Sequence, residues 1–218
     1  LTGIVTADTA QYNSSYSSYA FQDGTGQWNG LVFDTEDLVE VAMGDEVTVS
    51  GLITDYDPDW DFKFGGNTRL IDATVTVNSS GNDMPASANV SCSDLAQTGE
   101  EVESYEGVLV KMENVTISAV NSYDWSVTDA SGMEALIDDD MATMDADNYM
   151  SDLIVGQELD YVMSIFNYSF GTYKVQIRNL GDLGATVAIH DDVQVNPYTY
   201  ALHDNFPNPF NPETQIRF

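Results

Sequence analysis

The sequence predicts an all-β protein: two tandem five-stranded Greek-key barrels, each with a short helix, plus an extended C-terminal strand. Three observations predict it. Apolar residues alternate in short runs bounded by Gly, Asp, Asn and Ser, the pattern of half-buried strands joined by tight turns. The order of those runs occurs twice in the 218 residues, with an offset that grows from 104 (Gly3 to Gly107) to 112 (Gly44 to Gly156) as loops differ in length. Hydrophobic residues make up 43% of the chain, enough for real cores despite a formal charge of -30.

In the first half, residues 1–6 open a strand. Residues 19–22 form the second, and Asp23-Gly-Thr-Gly26 supplies the turn after it. Residues 28–33 read as the third. At residues 35–41 an N-cap-like Thr35 with acids behind it predicts a short helix. Residues 45–53 place Val47, Val49, Gly51 and Ile53 at alternate positions and read as a long fourth strand. A polar-aromatic loop follows, then a fifth strand over residues 70–77. Tyr12, Tyr16 and Tyr19 lie along a Ser-rich stretch that reads as a loop with an adhesive surface patch.

The second half repeats that order. Gly107-Val-Leu-Val110 matches Gly3-Ile-Val5, residues 127–132 match 21–26, and residues 155–159 match 43–47. Residues 167–171 stand where the loop after Ile53 stands, and Lys174-Val-Gln-Ile-Arg178 matches the last strand. Self-similarity at this period means two domains rather than a solenoid. Residues 1–80 are assigned to the first barrel and 104–185 to the second. The polar run 81–103 reads as a linker, and 186–218 as a C-terminal extension.

Five strands with a short helix between the third and fourth is the order of the OB-fold, a small Greek-key barrel. On Gly3, the Asp23–Gly26 turn, Gly44-Asp-Glu-Val-Thr-Val-Ser-Gly51 and their second-half counterparts, the chain resembles the tandem OB-like modules of secreted bacterial proteins. Some of those modules stand beside extracellular nucleases. The resemblance covers about residues 1–80 and 104–185.

The C-terminal extension carries a second pattern: Leu202, Asn205, Pro207-Asn-Pro-Phe-Asn-Pro212, Thr214, Ile216 and Phe218. It resembles the opening of the type IX secretion sorting domain, an immunoglobulin-like β-sandwich. That resemblance implies export by a type IX-like system to the outer cell surface or beyond. The family domain continues for several more strands, whereas this sequence stops after Thr214-Gln-Ile-Arg-Phe218. A lone strand leaves its backbone unpaired and its apolar face uncovered. Two readings follow: a truncated sorting domain, or a strand that adds to a neighbouring subunit through Thr214, Ile216 and Phe218. Donation from each subunit to the next builds an open fibre. Leu1, inside an apparent strand and without a preceding Met, reads as the start of a mature or trimmed product.

Charge and motif content exclude several function classes. With 36 acidic residues against 6 basic ones, the chain lacks the Lys and Arg needed to wrap duplex DNA or dock on anionic lipid. No run approaches the roughly 20 apolar residues of a membrane span, so no membrane insertion is expected. Cys92 is the one cysteine, which rules out an intrachain disulfide, and neither histidine is near it in sequence to activate a thiol. His190 and His203 both fall in the extension and form no zinc-type pair. There is no Gly-x-Ser-x-Gly elbow and no phosphate loop. The sequence predicts no catalytic residues and no required cofactor.

Two acidic clusters are candidate Ca²⁺ sites, because hard cations take several oxygen ligands. Asp55, Asp57, Asp59 and Asp61 alternate after the fourth strand; Trp60 and Gly66 stand where an EF-hand needs Gly and Glu, which excludes that motif. Asp138, Asp140 and Asp145 form the second cluster. The alternatives are a solvated acidic loop and acids at the first turn of a helix. Trp60, Phe62 and Phe64, and in the second repeat Tyr168 and Phe170 beside Phe166, are candidate ligand-binding aromatics, with core packing as the alternative. Such rings stack on sugars or on single-stranded bases. With only Lys63 or Lys174 close in sequence, electrostatics favours a carbohydrate. Asn-x-Ser/Thr triplets at Asn13, Asn78, Asn89, Asn114 and Asn167 are consistent with a glycosylated surface.

The functional expectation is a non-enzymatic extracellular structural or adhesive protein, a fibre subunit assembled by donating its C-terminal strand. Self-association is then its main partnership. The alternative is a ligand-binding accessory module, for carbohydrate or nucleic acid, of a larger secreted protein such as an extracellular nuclease.

Overall fold

A computed structural model of the protein describes residues 1–13, 16–55, 66–138 and 149–185. Two compact units are present, Leu1–Thr186 and Val187–Phe218, and the second lies outside the described residues. The first unit contains both barrels.

In the first barrel, β1 (Thr2–Asn13), β2 (Tyr16–Gln22), β3 (Gly30–Thr35), β4 (Glu46–Thr54) and β5 (Arg69–Ser79) close in the order β1-β2-β3-β5-β4. β3 runs parallel to β5 through Val32↔Arg69 and Phe33↔Leu70. β4 returns to β1 through Thr2↔Thr48, Gly3↔Val47 and Ile4↔Glu46. The two-residue period of a strand sends Val47 and Val49 inward and Thr48 and Ser50 outward. Val5, Tyr19, Phe21, Phe33 and Leu70 complete that core. Tyr19 stacks on Phe33 with ring centroids 4.9 Å apart.

After the short β6 (Ala88–Asn89), the second barrel repeats the order. β7 (Leu109–Val120), β8 (Trp125–Thr128), β9 (Glu134–Asp138), β10 (Glu158–Ser169) and β11 (Thr172–Gln176) form the sheet, and β10 pairs back to β7 to close it. β9 runs parallel to β11 through Ile137↔Val175, as β3 does to β5. β6 and β12 (Leu183–Ala185) extend the sheet at its margins. Trp125, Ile137, Phe166, Val175 and Ile177 lie fully inside. The all-β, two-barrel prediction is therefore what the chain adopts, and the strand order is consistent with OB-like barrels. The registers also align the halves: Ile53 pairs with Leu70 as Phe166 pairs with Val175, so Leu52-Ile53 corresponds to Ile165-Phe166.

Three expectations are corrected. No helix forms between β3 and β4. The Tyr19 hydroxyl accepts from Val39 N at 2.9 Å and donates to Val39 O at 3.1 Å, while Val39 and Val41 pack on the core. Those contacts hold residues 36–45 as irregular chain and override the cap signal at Thr35, a weak local preference. In the second barrel, a 3-10 turn at Tyr149–Asp152 precedes β10, and residues 139–148 lie outside the described set.

Residues 81–103 are not a free linker either. Cys92 and Leu95 are fully buried in the second core. The Gln97 side chain donates to Tyr173 O at 2.6 Å and accepts from Tyr173 N at 2.8 Å, satisfying the backbone of β11 as a strand would. Finally, Tyr19 belongs to no surface patch. β1 and β2 are paired out to Asn13↔Tyr16, and alternation carries Tyr19 inward. The side chains of Tyr12 and Tyr16 lie outside the described residues.

The barrels pack directly on one another. Ala7, Ala20 and Val32 of the first meet Leu109 and Ile165 of the second. At Gly30 the backbones touch: a Cβ there would stand 2.2 Å from the Gly107 carbonyl carbon, so only glycine fits. Leu109 N donates to Gln22 Oε1 at 2.7 Å, and Trp28 N donates to Ser104 O at 2.8 Å.

Candidate functional site

Three of the 6 basic residues, Arg69, Lys174 and Arg178, lie inside the protein, each beside a carboxylate. Arg69 Nε stands 3.5 Å from Asp34 Oδ2, and Lys174 Nζ donates to Asp138 Oδ2 at 2.6 Å. These two pairs occupy equivalent places, on the outer faces of β3–β5 and β9–β11. Arg178 is bonded to Asp182 through Nε at 3.0 Å and Nη2 at 2.6 Å, and its Nη1 donates to Thr6 O of the first barrel at 2.6 Å. Charges leave water only when paired and hydrogen-bonded. In this strongly acidic chain the scarce cations therefore neutralise buried acids and tie the barrels together. A signal for this was present in the sequence: basic residues so rare, yet placed within strand patterns, are candidates for internal pairs.

The seam between the barrels gathers two perturbed groups. Glu106 is only 7% exposed; its Oε2 accepts from Thr68 N at 3.1 Å, and its Oε1 has no partner. Burial, then the negative charges of Glu103 and Asp55, push its carboxyl up to about 7. Tyr173 lies within reach of its charge. Burial and the charges of Glu106 and Glu103 push that phenol up to about 12. Tyr173 stacks on Phe166 and meets Tyr168 edge-on, with centroids 5.7 and 4.9 Å apart. Gly66 of the first barrel approaches Tyr168, since a Cβ on it would lie 3.3 Å from the ring. The seam thus joins the loop after β4, the turn before β7 and the end of β10.

The predicted site residues distribute as follows. Asp55 ends the described part of its loop, in the field of Glu106, while Asp57, Asp59, Asp61, Trp60, Phe62 and Phe64 lie outside the described residues. Asp138 is buried and bonded to Lys174, so it does not stand open to a cation; Asp140 and Asp145 lie outside the described residues. Among the described residues no group of three His, Cys, Asp or Glu side chains converges as a metal site requires. Tyr168 is half-buried in the seam. Phe170 and Gly171 make the tip of the β10–β11 hairpin, both with positive φ (51° and 83°), the conformation of a two-residue type I′ turn. That turn holds the Phe170 ring in solvent, with Lys174 Nζ 5.6 Å from its centroid. Thr214, Ile216 and Phe218 lie outside the described residues.

Strands 2 and 3 carry the ligand face of an OB barrel. In the first barrel that outer face, at Ala20 and Val32, is buried under Leu109 and Ile165 of the second. A depression of about 510 Å³ lies on the second barrel, lined by Gln97, Thr98, Thr128, Met133 and Glu134 among others, and it presents one carboxylate among amide, hydroxyl and apolar groups. Among the described residues no helix is long and apolar enough to cross a membrane. No known family matches this sequence, and no curated protein matches it.

Proposed function

We propose that the protein is an exported, non-enzymatic structural subunit that joins copies of itself into a fibre or adhesive surface layer, through its C-terminal strand. The observation that carries this reading is the closure of the first barrel's strand 2–3 face by the second barrel. A surface that binds ligands in other OB barrels is spent here on rigid internal packing, which suits a building block. The tail supports it with a motif that resembles the type IX sorting domain and an alternating sequence pattern at Thr214, Ile216 and Phe218. Electron microscopy tests it. The full chain should form regular fibres and a chain lacking residues 197–218 should not; fibres from the shortened chain would overturn the reading.

A second reading rests on the exposed Phe170 ring at the hairpin tip, which suits stacking on a sugar. It makes the chain a carbohydrate-binding accessory module. A glycan array would show binding that Phe170→Ala abolishes; an array with no binding removes this reading.

A further inference from the structure

Two aromatic rings reach into solvent from backbone that does not suit them. Among the described residues four non-glycines have positive φ: Trp28 (64°), Asp72 (52°), Asn114 (53°) and Phe170 (51°). Asp and Asn enter this region with short polar side chains that bond locally, whereas a bulky aromatic there is an outlier. Burial offsets little of that cost, since Trp28 is 72% exposed and Phe170 48%. Backbone strain of this kind gathers at ligand clamps. Both turns are also tied to one stretch of the seam. The Asn29 side chain closes the β2–β3 turn by donating to Gln27 O at 2.8 Å and Thr25 O at 3.3 Å, and Trp28 N donates to Ser104 O of the second barrel at 2.8 Å. The strand that leads to Phe170 is anchored at the other end of that stretch, where Gly107 N donates to Phe166 O at 2.7 Å. Residues 104–107 thus run between the two turns, one from each barrel. Glu101 and Glu103 just before them, and Gln27 beside Trp28, are exposed.

We propose that Trp28 and Phe170 are the two stacking platforms of one binding site for a neutral carbohydrate chain, laid across residues 104–107. The proposal rests on the carbohydrate reading above and gives it a second ring and a ligand class. Three features fit this occupant. Rings fixed by their turns before binding lose little freedom when a sugar stacks on them. Ionised Glu101 and Glu103 only accept hydrogen bonds, so they match the hydroxyl donors of a neutral sugar and repel acidic ones. A protein partner would want a contiguous apolar area, whereas these rings sit on separate turns with acids along the stretch between. Two platforms on one backbone also favour a chain over a single sugar, because the second contact becomes intramolecular once the first is made.

An array of neutral glucan, xylan, mannan and galactan oligosaccharides, graded in length and with polyuronates as the anionic control, tests the proposal on the full chain. The protein should bind neutral chains, with affinity rising about tenfold or more from the shortest to the longest. Trp28→Ala and Phe170→Ala should each weaken binding about tenfold, and the double variant should abolish it. Trp28→Gly and Phe170→Asn separate binding from packing. Relieved of strain, both should melt at or above the wild-type temperature, yet lose affinity as the alanine variants do. A lower melting temperature for Trp28→Gly would show that the ring serves packing, and would overturn the proposal; so would a preference for polyuronates. Wild-type binding by Trp28→Ala, or equal affinity for short and long chains, would overturn the two-platform site and leave the Phe170 reading standing. An array with no binding overturns both.

Discussion

Glu106 lets the consequence of burial be read at a single residue. In the unfolded chain its carboxyl ionises near 4.5; in the folded chain burial and the charges of Glu103 and Asp55 hold it near 7. Between those values the folded state keeps a proton that the unfolded state has lost, so stability falls as pH rises through the window and levels off above it. The full loss is about 3 kcal/mol at roughly 1.4 kcal/mol per pKa unit. Glu106→Gln keeps an acceptor for Thr68 N and cannot ionise. The variant's stability advantage over the wild type should therefore grow from nothing near pH 4.5 to about 3 kcal/mol above pH 7 in urea melts. Taking the difference cancels the self-repulsion both chains share, and parallel curves would sink the assignment. Cys92 follows the same physics: burial, then the charge of Asp129, push its thiol up to about 12, leaving it protonated. Neither residue was singled out by the sequence in these terms. Glu106 looks like any of 36 acids until its neighbours from both barrels are in place.

At the scale of elements, the glycines of the seam decide how closely the barrels approach. Gly30→Ala would press a methyl into the Gly107 backbone and should lower stability by about 1–3 kcal/mol through overpacking. Gly132→Ala, in open space at φ 73°, should cost only about 1 kcal/mol for its backbone conformation. Thermal melts that rank the two variants the other way would refute close packing at the seam. The strands were legible because alternation is a local signal; Val47, Val49, Val127 and Val175 announce themselves. The helix was misread because Thr35 and its acids give a local preference that the Tyr19–Val39 bonds outweigh. The 81–103 segment was misread because its apolar residues are sparse. Cys92 and Leu95 show their role only once the second barrel receives them. For the candidate sites, the acidic and aromatic clusters were visible as composition, but the Glu106–Tyr173 neighbourhood joins residues distant in sequence and has no local signature.

At the scale of the whole molecule, two barrels held by Gln22, Gly30, Thr6 and Arg178 should unfold together rather than in turn. Calorimetry of the monomer is expected to show one transition, with calorimetric and van't Hoff enthalpies equal; two resolved transitions would mean independent barrels. Arg178→Met removes the bond to Thr6 and leaves Asp182 buried without its guanidinium, so the transition should fall by about 3–5 kcal/mol. The charge of -30 also takes on structure at this scale. The buried cations are committed to Asp34, Asp138 and Asp182, and those pairs cancel, so the whole net charge is carried by the other residues. By itself the sequence determined the all-β class, the doubled order of strands and the alternating tail, because each is written in short-range periodicity. Only the tertiary structure decided that the first barrel's strand 2–3 face is closed and that the supposed linker is core. Those outcomes depend on which surfaces meet across nearly the whole length of the chain, and short-range patterns carry no information about that.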